Sequence, residues 1–312
     1  MNSESKESGE KYRQTGFQSF FQGRPDFHLN CRTVTGILYL AFFLILATFC
    51  LMSFSACKSG SKQNEIVIAG STSIQPFADE WAELFMKKNS KVTINVQGGG
   101  SSGGIMAVKE GTAQIGMSSR ELKEDEKDLI EITVAYDGLA IIVHPANSVD
   151  NLSLEQVRSI FAGEITNWKV LNGNDKAITV VVREEGSGTR GAFQEMVMGS
   201  RRISKKAIVE DSNGVVREIV SRDSNSIGFI SLGLVDHRVK AIALDGLQPS
   251  EEAIIQGHYH LRRPFLFLVR EEPQGLTKEF IDFVLSADIQ SMLPQEGLIP
   301  VKTIATEESF QD

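Results

Sequence analysis

Between Val92 and Gly111 the chain reads VTINVQGGGSSGGIMAVKEG, and two chemically loaded patterns overlap in its middle. Gly98, Gly100 and Gly103 spell G-x-G-x-x-G, the turn that lets backbone approach a dinucleotide pyrophosphate. Gly99, Ser101 and Gly103 spell G-x-S-x-G, the elbow that presents a serine nucleophile. A third reading needs only the loop itself: glycines and serines opening a helix aim N–H and O–H groups at an anion, on the positive end of the helix dipole.

The dinucleotide reading requires an acidic residue about 20 positions onward, at the end of a second strand. Glu121 and Glu124 stand near that spacing, but in SSRELKEDEKD, which reads as a solvated charged turn. The hydrolase reading requires an acid and a histidine for Ser101. His144, His237, His258 and His260 follow it, each in a setting that reads as structural or surface. The anion reading finds company elsewhere in the chain. IVIAGSTSIQPF, INVQGGGSSGGI and VVVREEGSGTRGAF each run from strand through a Gly/Ser/Thr turn into a helix. Three such turns supply donors for one oxyanion, and Arg183, ending the strand before the third, supplies a cation. The competing role for Arg183 is a surface salt bridge to Glu184 or Glu185.

The elements that must position these loops follow from periodicity. EIVIAG (65–70) reads as a strand, and the helix after it carries Ile74, Phe77, Trp81, Leu84 and Phe85 as its apolar stripe, with Ser71, Thr72 or Ser73 as cap. KVTINVQ and AQIGMSS read as strands, GIMAVKEG as a short helix, and TVAYDGLAIIVHP as a long apolar strand. SLEQVRSIFAG is a helix capped by Ser153 and ended by Gly163. SNGVVREIVSRD is helical, SIGFISLG and RRPFLFLVR are strands, and one or two helices follow Leu276. Strands and helices alternate throughout, which is an α/β pattern. Trp81, Trp168, Phe265, Phe267, Phe280 and Phe283 read as packing residues.

The 312 residues suffice for two domains without staples, and a net charge of −8 argues against a nucleic-acid partner. All three cysteines, Cys31, Cys50 and Cys57, fall in the first fifth, so neither a disulfide framework nor a cysteine metal site is expected in the body. Val34 to Ala56 carries no charge and is long enough to span a bilayer, with Arg24 and Arg32 on its N-terminal side. It ends in Phe54-Ser55-Ala56-Cys57, small residues before a cysteine, which reads as a lipoprotein signal with lipidation at Cys57 or as an uncleaved anchor. Either export route leaves the body tethered. Without residues 1–56 the charge is −9, so an anion must be held by local donors and not by the overall field.

GSTSIQPF, QGGGSSGGIMAVKEG, IGMSSR, LSLEQVRSIFAGEITNW, REEGSGTRGAF and SIGFIS, taken in order, resemble the PstS-type phosphate-binding proteins, the extracytoplasmic receptors of phosphate ABC transporters. The likeness spans about 65–300. It implies a type II periplasmic-binding-protein fold: a signal or membrane segment at 1–56, a linker at 57–64, one α/β lobe from 65–142 and 264–312, and a second from 143–263. GLAIIVHP and RRPFLFLVR would be the crossover strands between them. It implies phosphate binding by Thr72, Ser73, Ser101, Ser119, Arg183, Ser187, Gly188 and Thr189, with Glu185 orienting Arg183. Many members have aspartate where this chain has Ser119, so a carboxylate to accept the ligand's proton would come from elsewhere, and Asp137 is the candidate. Arg120 would add charge or lie exposed. The resemblance implies a non-enzyme without cofactor or metal, lipid-anchored and facing the periplasm or cell exterior, with an ABC permease and ATPase as partners. A receptor for sulfate, molybdate or arsenate, and an exported serine hydrolase using Ser101, are the alternatives.

Overall fold

The alternation read from the sequence becomes one extended α/β sheet. A computed structural model describes residues 64–301; the expected membrane segment, the Phe54–Cys57 box and nearly all of the linker lie outside them, as do residues 302–312. Among the described residues no helix is long and apolar enough to cross a membrane. The first half comprises β1 (Glu65–Gly70), α1 (Gln75–Lys88), β2 (Thr93–Gly98), α2 (Gly100–Lys109), β3 (Ile115–Ser118) and the long β4 (Ile130–Val143). Then come β5 (Asn151–Leu152), α3 (Leu154–Ala162), β6 (Thr179–Arg183), α4 (Gly188–Phe193), β7 (Ile208–Glu210), α5 (Asn213–Arg222) and β8 (Ser226–Ser231). β9 (Lys240–Ala241), β10 (Ala243–Leu244), α6 (Glu251–Ile255), β11 (Arg262–Val269), α7 (Gly275–Val284) and α8 (Ala287–Gln290) complete it.

The strand order is β2-β1-β3-β11-β4-β8-β6-β7, with β9 alongside β4, and β5 paired with β10 in a separate ribbon. β1 runs parallel to β2 and β3, and β6 runs parallel to β7 and β8. β4 joins the two groups. Ile130 to Gly138 pair antiparallel with β11, and Leu139 to Val143 pair antiparallel with β8. One strand therefore belongs to both halves, and its partner changes between Gly138 and Leu139.

Side-chain alternation builds a core on each face of each half. Phe265 and Phe267 join Ile66, Ile68, Phe77, Trp81 and Phe280 on one face of the first half, while Leu266 and Leu268 join Ile105 and Val108 on the other. Leu139, Ile141 and Val143 face Phe161, Trp168, Phe193 and Phe229; Ala140 and Ile142 face Val216 and Val220. Central strands buried on both sides explain the unbroken apolar runs in β8 and β11. The two tryptophans lie in separate cores, and Phe283 is only partly buried at the edge of the first.

Helix α3 starts and stops where its signals say. Ser153 Oγ accepts from Gln156 N at 3.1 Å, and Gly163 closes it at φ 81°. Helix α1 does not. Its cap position is Ile74, with no side-chain cap, because Ser71 C=O already takes the Ile74 and Gln75 N–H groups at 3.1 and 3.0 Å. The hydroxyls read as caps are thereby released for another use.

Behind the crossover, the turn Leu293–Glu296 packs on Gly233, where a Cβ would come within 2.7 Å of Glu296 O. Glu296 Oε2 is buried without a partner among the described residues, and burial, aided by repulsion from Glu80, pushes its carboxyl up to about 7. The folded state thus holds this proton more tightly than the unfolded chain. The associated stability is complete below the ordinary value of 4.5 and is lost as pH rises through about 7. Discounted for partial exposure, Glu296→Gln is expected to add about 1 kcal/mol at pH 8, roughly 2–4 °C in Tm, and nothing measurable at about pH 5. Thermal melts at the two pH values check this; an equal gain at both contradicts it.

Candidate functional site

Four helix N-termini and the two crossover strands meet at one buried cluster. The turn before α1 contributes Ser71, Thr72 and Ser73, the start of α2 contributes Ser101, and the turn after β3 contributes Ser119. From the other half come Ser187, Gly188 and Thr189 at the start of α4, and Asn213 at the start of α5. Ser71, Ser73, Ser101, Ser119, Ser187, Thr189 and Asn213 are each at most 2% exposed.

The glycine run makes this possible. Gly99 and Gly100 take φ values of 145° and 77°, so β2 turns abruptly into α2 and Ser101 lands in the first helical turn. Ser102 N, also in that turn, donates to Gly186 O of the third loop at 3.1 Å. Gly188 sits directly against Ser101 Oγ and Ser119 Oγ. The Gly98–Gly104 loop is thus in contact with the third Gly/Ser/Thr turn from the other half.

The hydroxyls are wired together. Ser71 Oγ donates to Ser119 Oγ at 2.8 Å, and Ser71 Oγ accepts from Ser73 N at 3.2 Å. Ser119 N donates to Ser101 Oγ at 3.1 Å. Ser73 Oγ lies 2.8 Å from Thr189 Oγ1, linking the two halves. Ser187 serves as the cap of α4, its Oγ accepting from Arg190 N at 3.2 Å. Thr72 stands apart: its Oγ1 is buried with no hydrogen-bond partner among the described residues.

Arg183 is 1% exposed at the end of β6. Nε and Nη2 donate to Glu184 at 3.0 and 2.9 Å, and Nη2 also donates to Asp211 O at 2.8 Å. Nη1 has no partner among the described residues. Glu184, and not Glu185, therefore orients the arginine; Glu185 points to solvent, 91% exposed. The strand period explains the shift, because the residue directly after β6 lies beside the guanidinium while the next turns outward.

Asp137 and Arg263 are cross-strand partners on β4 and β11, at the point where β4 changes partner. Arg263 Nε and Nη2 donate to Asp137 Oδ2 at 3.0 and 2.8 Å, and Ser231 Oγ donates to Oδ1 at 2.9 Å. Burial pushes the Asp137 carboxyl up, opposed by the guanidinium, and lowers Arg263; arginine starts so high that it stays charged, and the pair is an ion pair. Arg263 also reaches Ser119 O at 3.2 Å and Ser73 Oγ at 3.2 Å, while Asn213 Nδ2 donates to Ser73 Oγ at 2.9 Å.

The structure thus brings Ser73, Ser101, Ser119, Gly188, Thr189 and Asp137 into one network, with Ser187 and Arg183 at its border. Arg120 is outside it, 6% exposed and held by Glu126 at 2.7 Å. Ser71, Asn213, Ser231 and Arg263 are members that sequence reasoning missed. SNG before a helix signalled a start for α5, but Arg263 stood in RRPFLFLVR as an ordinary strand end. Among the described residues no histidine joins Ser101. His144 Nδ1 accepts from Ala146 N at 2.9 Å, and His237, His258 and His260 are exposed. The arrangement holds donors and paired charges, and among the described residues no base lies beside Ser101.

Known proteins place this geometry in a family. A model described as a PBP superfamily domain matches residues 56–288. The phosphate-binding protein PstS of Bacillus subtilis is 35% identical over 279 residues, covering 85% of this chain and 93% of the relative. PstS of Borreliella burgdorferi is 29% identical over 262 residues, with 79% and 94% covered. A phosphate ABC transporter substrate-binding protein from Clostridium perfringens, solved with bound phosphate, superposes with a TM-score of 0.74 at 42% identity, covering 76% of this chain and 100% of that one. An ABC-type phosphate transport receptor from Vibrio cholerae gives 0.64 at 40%, covering 75% and 99%. With a family model over most of its length and a relative of this identity over nearly all of its body, the chain belongs to the PstS-type phosphate-binding proteins of the PBP superfamily.

Proposed function

We propose that this chain is an extracytoplasmic receptor that captures inorganic phosphate between two hinged lobes and hands it to an ABC transporter. The observation that carries the reading is the meeting of the two halves at one cluster: Ser101 in one, Thr189 and the unpartnered Arg183 Nη1 in the other, with Ser73 Oγ 2.8 Å from Thr189 Oγ1 joining them. A buried dianion is tolerated only when its oxygens are fully hydrogen-bonded. The formal charges around the cluster already cancel, Arg183 with Glu184 and Arg263 with Asp137. The anion is therefore stabilised by helix N-termini and hydroxyls, plus the free edge of Arg183. The buried, unpaired Thr72 Oγ1 is one further donor for it.

We set the lobe division where β4 changes partner, at 138–139, and where β11 begins, at 262; the family resemblance implied 142–143 and 263–264. Only the closed arrangement brings both donor sets together, so phosphate draws the hinge toward closure and a permease reads the closed shape. Lipidation at Cys57 would keep the receptor at the membrane; the mass of the mature N-terminus tests that part by itself. Calorimetric titration of the full chain in detergent is expected to show 1:1 phosphate binding with a Kd of about 1 μM or tighter. Absence of heat at about 10 mM phosphate defeats the reading.

A further inference from the structure

The hydrogen-bond count at Ser73 determines which way its proton points. A serine hydroxyl has one O–H and two lone pairs. Asn213 Nδ2 donates to Ser73 Oγ at 2.9 Å, and Arg263 Nη2 donates to it at 3.2 Å. The guanidinium has no lone pair to offer, so its direction is fixed. The Asn213 amide is fixed as well, because its Oδ1 is the acceptor for Ser231 N at 3.4 Å; reversal would set two donors face to face. Both lone pairs of Ser73 are therefore filled, and its own proton must go to the remaining neighbour, Thr189 Oγ1 at 2.8 Å. Thr189, receiving that proton, cannot spend its own on Ser73 and turns it to the anion.

We infer that Arg263 and Asn213 are positioning residues that force Ser73 to donate to Thr189 and so make the Thr189 hydroxyl an obligatory donor to the bound anion. The inference rests on the phosphate reading and adds its wiring. It also gives the buried Asp137–Arg263 pair a task beyond joining the crossover strands. Asp137 holds Nε and one edge of Nη2, which leaves the other Nη2 hydrogen aimed at Ser73. The device spans both halves, since Ser73 belongs to the loop before α1 while Thr189 and Asn213 open α4 and α5. Thr189 is thus set as a donor only when the halves meet.

The test is a double-mutant cycle on phosphate affinity, measured by calorimetry on the full chain in detergent. Thr189→Val keeps the side-chain shape and is expected to weaken binding at least about tenfold. A loss under about threefold means Thr189 donates to Ser73 instead, and overturns the inference. Asn213→Asp places an acceptor on Ser73, takes its proton and reverses Thr189, with a loss at least as large. In the double variant the expected affinity stays within about threefold of Asn213→Asp alone, because the donor is already gone. If Asn213→Asp acted only through its added charge, the two losses would multiply, and that result also overturns the inference. The Thr189→Val arm decides the matter if Asn213→Asp does not fold. A wild-type chain that binds no phosphate would instead defeat the functional reading on which the inference stands.

Discussion

Gly188→Ala is expected to fold like the wild type and to bind phosphate at least a hundredfold more weakly. The glycine opens α4 with its Cα against the hydroxyl layer of the other half. A Cβ there would collide with Ser101 Oγ and lie 2.6 Å from Ser119 Oγ. Neither neighbour can retreat, since Ser101 Oγ is held by Ser119 N at 3.1 Å and Ser119 Oγ by Ser71 at 2.8 Å. The start of α4 must therefore stand off by an ångström or so, which breaks the Ser73–Thr189 contact and pulls the donors of the two halves out of hydrogen-bond range. A hundredfold is about 2.7 kcal/mol, the worth of one or two charge-assisted hydrogen bonds. The cores of each half are untouched, so Tm should move by no more than about 2 °C. Calorimetry and a thermal melt measure both quantities, and affinity within about threefold of wild type would show that the halves do not approach at this residue.

The second large effect concerns stability. Asp137→Ala leaves the Arg263 guanidinium buried at the centre of the sheet without its counter-ion; the two side chains are 0% and 2% exposed. Removing one partner of such a pair costs about 3–5 kcal/mol. Replacing both with apolar residues avoids the uncompensated charge, so Asp137→Ala combined with Arg263→Met is expected to recover at least half of the loss. Equilibrium denaturation of the three proteins provides the comparison. A single-variant loss below about 1 kcal/mol would mean that water reaches the pair and that it is not the buried floor of the cluster.

The predicted effects all come from contacts between segments far apart in the chain, and the sequence reports such contacts unevenly. The three Gly/Ser/Thr turns were legible because each is a local device: a strand ends, a positive-φ glycine or a hydroxyl follows, and a helix begins. The cap of α3 was legible for the same reason, since Ser153 and Gln156 are three residues apart. The α1 cap misled because three hydroxyls in a row satisfy the same local rule. Which of them turns inward depends on Ser119, Thr189 and Arg263, residues 48 to 190 positions away. Glu184 and Glu185 posed a smaller version of the same problem: either could follow an arginine, and only the direction of β6 assigns the near one.

By itself the sequence determined the alternating α/β order, the long apolar strands and the helix-start chemistry, because strand and helix periods and turn residues act within a few positions. It also determined the likeness to phosphate-binding proteins, since that rests on the order of local motifs. The tertiary structure alone decided that Asp137 and Arg263 face each other on neighbouring strands, that Asn213 reaches Ser73, and that Gly188 closes on Ser101. A hydroxyl's partner, and hence the direction of its proton, is set by whatever chain the fold packs against it, and that packing is a property of the whole sheet and not of any short stretch.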